Sequence, residues 1–339
     1  MGGTLVIGPA WVGDMVMAQA LFALLRGGAP DEPIDVVGPP WSVPLVARMP
    51  EVRRGIPLAV GHGEWAFGAR RALGLALRGE HYDRAIILPR SFKSAVVPWA
   101  ARIPVRTGFA GEGRSVLLTD PRRLDRERLN QTVKRLLALG LPRDAPVPKP
   151  VSPVLRVDAA NRQQLIDRFG LGAQSAIALM PGAAFGPAKQ WPVEYFRTLA
   201  TLLLEAGHAV WVLGSAAERS LGETICAGLP AMNLCGETRL EDTVDLLSAA
   251  RVAVTNDSGL MHVAAAAGTH VVALYGSSSP EFTPPLTTHR TILYLGLDCS
   301  PCFKRTCPLG HLNCLREISP ATVSATVKTI IEGTGFQKA

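Results

Sequence analysis

The feature that most constrains the fold is an alternation, sustained along the chain, of short apolar runs with amphipathic segments long enough to be helices. Unbroken apolar runs of this kind suit strands buried on both faces, and the segments between them suit the crossover helices that parallel strands require. The pattern predicts an α/β protein built on open parallel sheets. Strands are expected at 4–7, 34–37 and 85–88, then at 176–180, 209–213, 251–255 and 270–275. Helices are expected at 15–26, 193–206, 241–250 and 260–267. Between the two series, the stretch 139–153 carries Gly140 and five prolines and reads as a linker. Its 339 residues are also too many for one ordinary core. Two domains follow, 1–150 and 151–318, with a last helix at about 319–334 that could pack back on the first. Ser319-Pro320, an N-cap followed by proline at the first helical position, marks where that helix begins.

Charge separates the two halves. Residues 1–150 hold 21 Lys and Arg against 13 Asp and Glu, whereas residues 151–339 hold 14 against 15. A surplus confined to one half suggests that this half meets an anionic partner, although an Arg-rich solvated surface gives the same count. Nucleic acid is not the expected partner, because the arginines are scattered and no helix-turn-helix, zinc-finger or aromatic RNA-binding pattern accompanies them. The apolar N-terminus lacks a basic leader, and Asp14 interrupts it, so a cytoplasmic protein is expected. The stretch 258–280, free of acidic and basic residues apart from two histidines, is broken by Gly268 and reads as a helix followed by a strand, not as a membrane span.

Three loops that follow predicted strands carry chemistry. GPAWVGD (8–14) lies where a phosphate loop would lie but has neither P-loop nor dinucleotide spacing. Its Asp14 is either a residue favoured by the helix start or a general base. In PGAAFGPAKQW (181–191), Gly182 and Gly186 expose backbone N–H groups and Lys189 adds a cation, which makes a cradle for a diphosphate or simply a surface lysine. NDSGLMH (256–262) opens a helix whose free N–H groups favour phosphate. There Ser258 is alternatively an N-cap and His262 a satisfied buried histidine. Singly, none of these loops decides a function.

Together they do. The run VTNDSGLMHVAAAAGTHVVALYGSSSPEFTPP (254–285), with LVIGPAWVGDMVMAQALF (5–22), LPRSFKSA (88–95) and PGAAFGPAKQWP (181–192), resembles the ADP-heptose:lipopolysaccharide heptosyltransferases of glycosyltransferase family 9 in matching order. The resemblance implies a GT-B fold, with two Rossmann-like domains facing across a cleft, the first for the acceptor and the second for ADP-heptose. It implies inverting transfer of L-glycero-D-manno-heptose onto the first heptose of the lipopolysaccharide inner core, with no cofactor and no metal held by the protein. On matching positions Asp14 would deprotonate the acceptor hydroxyl, Lys189 with Gly182 would hold the diphosphate, Glu218 the ribose hydroxyls and Asp257 the heptose. Ser258, Gly259 and His262 would complete the donor pocket. Arg90 and Lys93 would face the phosphates and carboxylates of a heptosylated Kdo-lipid A acceptor, with Arg106 and Arg114 as weaker candidates. Such an acceptor implies peripheral work at the cytoplasmic face of the inner membrane. A different core acceptor, or a sugar-nucleotide-binding protein without catalysis, is the alternative.

Four of the six cysteines cluster as Cys299-x2-Cys302-x4-Cys307-x6-Cys314, with His311 between them. The first pair resembles half of a structural zinc or iron–sulfur site. The second pair lacks the C-x2-C spacing of zinc ribbons, and the resembling family does not call on a metal. Reduced, partly buried thiols are therefore the expectation, with a metal site or a disulfide as the alternative.

Overall fold

The computed structural model describes residues 2–61, 63–172 and 176–333. The chain divides into two compact units, residues 1–156 and 157–339. The division falls a few residues beyond the proline-rich stretch because the chain there is still tied to the first unit. The Gln19 side chain donates to Val154 O (2.7 Å) and accepts from Val154 N–H (3.0 Å), and Arg156 N–H donates to Arg48 O (2.8 Å).

In the first unit six parallel strands, β1 (Thr4–Ile7), β2 (Ile34–Gly38), β3 (Arg54–Pro57), β4 (Arg84–Ile87), β5 (Val105–Phe109) and β6 (Asp120–Arg122), lie in the order β3-β2-β1-β4-β5-β6. Leu5, Ile7, Val37, Ala85 and Ile87 belong to its core. The helix Val12–Gly28 begins three residues earlier than expected and buries Met15, Met17, Leu21 and Phe22. At the amino end of the sheet, Asp35 is fully buried, yet Arg53 (2.6 Å), Arg54 (2.9 Å) and Tyr82 (2.5 Å) all bond to its carboxylate. Burial alone would raise its pKa, but these three donors hold it below the usual range.

The second unit repeats the design with β7 (Ala176–Met180), β8 (Ala209–Val212), β9 (Met232–Asn233), β10 (Val252–Asn256), β11 (His270–Tyr275) and β12 (Arg290–Tyr294), in the order β12-β11-β10-β7-β8-β9, again all parallel. The seven expected strands are present to within a residue at each end, and the core here gathers Ile177, Leu179, Trp191, Phe196, Leu199, Val254 and Val272. The last helix, Pro320–Gly333, is capped by Ser319, whose Oγ accepts from Thr322 N–H at 3.1 Å. Its Val323 and Val327 are fully buried in the second unit's core.

Candidate functional site

Both sheets have the strand order of a dinucleotide-binding fold, and each has one point where the chain reverses its direction of winding: between β1 and β4 in the first, between β7 and β10 in the second. Loops at the carboxyl ends of the strands flanking such a point diverge and leave a crevice where ligands of open α/β sheets bind. Asp14 follows β1, and Arg90 and Lys93 follow β4. Lys189 follows β7, and Asp257, Ser258, Gly259 and His262 follow β10. These sequence-predicted residues thus flank the reversal point of their own sheet, whereas Glu218 follows β8, one strand further out. A cavity of about 380 Å³ rimmed by Arg78, His81, Asp83 and Arg102 lies instead at the amino ends of β4 and β5 and includes none of them.

In the second unit Lys189 Nζ meets Asp257 Oδ2 at 2.5 Å, with the carboxylate side chain 5% exposed and the lysine 18%. Lys189 Nζ also stands 5.1 Å from the centre of the Phe185 ring, and the Arg305 guanidinium stands 5.3 Å from the same ring. The fully buried Asn256 clamps the loop from both ends: its Oδ1 accepts Trp191 N–H (3.0 Å) and its Nδ2 donates to Pro181 O (2.7 Å). Trp191 is pinned in turn by its indole N–H to Ile318 O at 2.9 Å. Gly186 has a φ of +152°, and a Cβ on it would stand 2.6 Å from Arg305 O, which accepts Ala188 N–H at 3.0 Å. Only glycine suits both conditions.

Glu218 Oε2 accepts Ser215 N–H at 2.6 Å and the Ser215 hydroxyl, closing a capping box. Its other oxygen would be 2.5 Å from a Cβ at Gly182, so Gly182 is small in order to let the carboxylate lie against the loop. Ser258 occupies the N-cap of the helix Gly259–Ala266 without a capping hydrogen bond from its side chain. Serine therefore stands where the capping reading put it but does not cap through its hydroxyl. His262 is 4% exposed, and burial pulls its imidazole down to about 4, a shift that Asp257 opposes and Lys189 reinforces. It is a neutral donor or acceptor at neutral pH. Asn256, Phe185 and Arg305 were missed from sequence. Arg305 belongs to the cysteine-rich stretch, and no spacing connects it to a loop more than a hundred residues earlier.

In the first unit Asp14 is half-buried in the first turn of the helix Val12–Gly28, where a carboxylate gains from the helix dipole. Lys93 Nζ donates to Glu64 O at 3.0 Å. Arg90 stands near enough to Arg114 and Arg135 to repel both. Arg114 itself is fully buried, its guanidinium committed to Phe109 O (2.8 Å), Pro89 O and Ser94 Oγ (2.9 Å), and burial brings its pKa down to about 10. Arg106 spends its donors on Leu117 O (2.6 Å) and Ile103 O (2.5 Å). These two weaker acceptor candidates are structural arginines, and with Asp35's partners they explain part of the surplus charge. Arg126 and Arg135, whose mutual repulsion lowers Arg135 after burial, were not singled out from sequence.

Two parallel six-stranded units of this winding have the α/β architecture of the GT-B fold, and solved structures agree. The structure of E. coli ADP-heptose LPS heptosyltransferase II superposes with a TM-score of 0.88 at 41% identity, covering 98% of this chain and 99% of that one. E. coli heptosyltransferase WaaC with ADP, at 19% identity, shares the fold with a TM-score of 0.72 over 97% of this chain and 100% of its own. The family model for glycosyltransferase family 9 (heptosyltransferase) matches residues 70–313. Lipopolysaccharide heptosyltransferase 2 of Escherichia coli K12 is 43% identical over 96% of this chain and 98% of its own. Lipooligosaccharide heptosyltransferase 2 of Haemophilus influenzae is 44% identical over 86% and 88%. The chain belongs to glycosyltransferase family 9, the heptosyltransferases.

Proposed function

We propose that this enzyme is a heptosyltransferase II, moving L-glycero-D-manno-heptose from ADP-heptose onto the first heptose of the lipopolysaccharide inner core with inversion. The observation that carries the donor half of this reading is the meeting of Lys189 with Asp257 at the β7–β10 reversal point, on a loop clamped at both ends by Asn256. The diphosphate of a nucleoside diphosphate sugar carries two negative charges, and breaking its bond to the sugar develops a third on the departing ADP. Lys189, the N–H of Gly182 and the helix start at Ser258 and Gly259 favour that state over the ground state. Because Asp257 already neutralises Lys189, Arg305 over Phe185 supplies the second cation. Glu218 takes the ribose hydroxyls, and Asp257 with neutral His262 takes the heptose hydroxyls.

Asp14 takes the proton of the acceptor hydroxyl as it attacks, a contribution typically worth ~100- to ~10,000-fold. Arg90 and Lys93 attract the phosphates and carboxylates of the heptosylated Kdo-lipid A. Among the described residues no helix is long and apolar enough to cross a membrane. Work at the cytoplasmic face of the inner membrane would thus rest on peripheral contact. The test is ADP release from ADP-heptose with defined acceptors. Release only with a heptosylated acceptor is expected. Transfer to Kdo-lipid A lacking heptose would make the chain a heptosyltransferase I, and donor binding without release on any acceptor would make it a binding protein.

A further inference from the structure

We propose that Cys299, Cys302, Cys307 and Cys314 hold a thiophilic metal centre, zinc or iron, which fixes the loop that backs the candidate donor site. The sequence favoured free thiols because the second pair lacks ribbon spacing. The fold removes that objection by bringing all four, with His311, to the wall of one small cavity of about 20 Å³ whose remaining lining is mostly apolar: Ala188, Pro308, Leu309 and Leu312. None of the four is in a disulfide.

Cys307 is the most telling. Its sulfur accepts backbone N–H groups from Leu312, Leu309, Gly310 and His311, a nest that supports a metal-bound sulfur from behind. A soft metal takes cysteine sulfurs as thiolates and itself supplies their countercharge. As placed, no three His, Cys, Asp or Glu side chains among the described residues stand close enough to grip an ion. Zinc–sulfur bonds of ~2.3 Å put tetrahedral ligands about 3.8 Å apart, so binding would draw the arms of the loop inward. Cys299, Cys302 and Cys307 lie on backbone outside any strand or helix, which offers no ladder to resist that movement.

The loop has little else to hold it, since Phe303 and Leu309 are 52% and 61% exposed. Yet it holds the main chain of the neighbouring loops: Arg305 O accepts Ala188 N–H at 3.0 Å, Phe303 N–H donates to Ser277 O at 2.7 Å, and the Ser300 side-chain hydroxyl donates to Gly276 O at 2.5 Å. A centre here acts as a fastening behind Lys189. It takes no part in the transfer.

The experiment is metal and thiol analysis of the full chain, purified without chelator both in air and anaerobically after expression with zinc and iron supplied. About one zinc per chain without colour, or iron with acid-labile sulfide and visible absorption, supports the centre and identifies the metal. Cys302→Ser and Cys307→Ser should each lower the bound metal by at least about fivefold, whereas Cys226→Ser, half-buried elsewhere, should keep it. If the serine variants do not fold, the wild type still decides: four of its six thiols should resist a thiol reagent until a chelator is added. Zinc and iron both far below one per chain in both preparations, with Cys299, Cys302 and Cys307 reacting at once, would overturn the proposal, as would full metal content in Cys302→Ser. None of these readouts depends on the donor or acceptor assignments.

Discussion

His262 turns burial into a measurable pH dependence. Its folded pKa is about 4, against an ordinary value of 6.5, because desolvation penalises the imidazolium. As pH falls through 6.5 the unfolded chain takes up a proton that the folded chain refuses until about 4, so stability is present above 6.5 and is lost on acidification. A shift of that size corresponds to ~3 kcal/mol in full, of which about 2 kcal/mol is lost between pH 7 and pH 5. The lowered carboxylates Asp35, Asp120 and Asp242 act below that window, while His270, lowered by burial and by His289, adds to it with the same sign. The comparison must therefore be made against His262→Gln, which keeps hydrogen-bonding capacity and cannot titrate. Urea unfolding followed by the fluorescence of buried Trp191 and Trp211, in a background where Trp11, Trp41, Trp65 and Trp99 are replaced by Phe, reports the second unit. From pH 7 to pH 5 the wild type should lose roughly 2 kcal/mol more than the variant. Parallel losses in the two proteins, or an imidazole that titrates near 6.5 by NMR, would refute the reasoning.

Three further outcomes are expected. Asp14→Asn should lower turnover at least ~100-fold while leaving ADP-heptose affinity within a few-fold, and wild-type turnover would reduce Asp14 to a dipole-complementing residue. Lys189→Ala should weaken ADP binding in calorimetry by about tenfold or more, the diphosphate being charged in ground and transition states alike, and unchanged affinity would leave Lys189 as a partner for Asp257 only. Replacing Arg90 and Lys93 together by Ala should raise the acceptor KM and flatten its dependence on ionic strength without moving the KM for ADP-heptose, and an effect confined to the donor would reverse the assignment of the two halves.

The strands nearest the reversal points were legible because burial on both faces demands an unbroken apolar run, as in Leu5–Val6–Ile7 and Val252 to Thr255. The outer strands were not. β6 is Asp-Pro-Arg, β3 contains Arg54, Gly55 and Pro57, and β9 is two residues long, so none offers a hydrophobic signal; they are strands because a neighbour's backbone pairs with them. Charge was legible as a sum and illegible as a location. Sequence cannot distinguish exposed Arg90 from Arg114, whose guanidinium is spent on carbonyls in the core. The donor-site candidates were legible as motif positions, but their organiser, Asn256, was read only as a loop residue, since its importance lies in what it bonds 65 and 75 residues away.

That amide also fixes a length. One side chain of β10 holds both Pro181 and Trp191, so the freedom of the segment between them is removed when the unit folds and not when a ligand arrives. Ordering such a segment costs about 1–2 kcal/mol per residue, an expense that would otherwise be subtracted from affinity. An inserted residue would shift one anchor by about 3.5 Å, more than a hydrogen bond can follow. Sequences that diversify on this scaffold should therefore exchange the side chains that project from the segment while conserving its number of residues, and a survey of loop length across relatives that retain the asparagine would read this constraint directly.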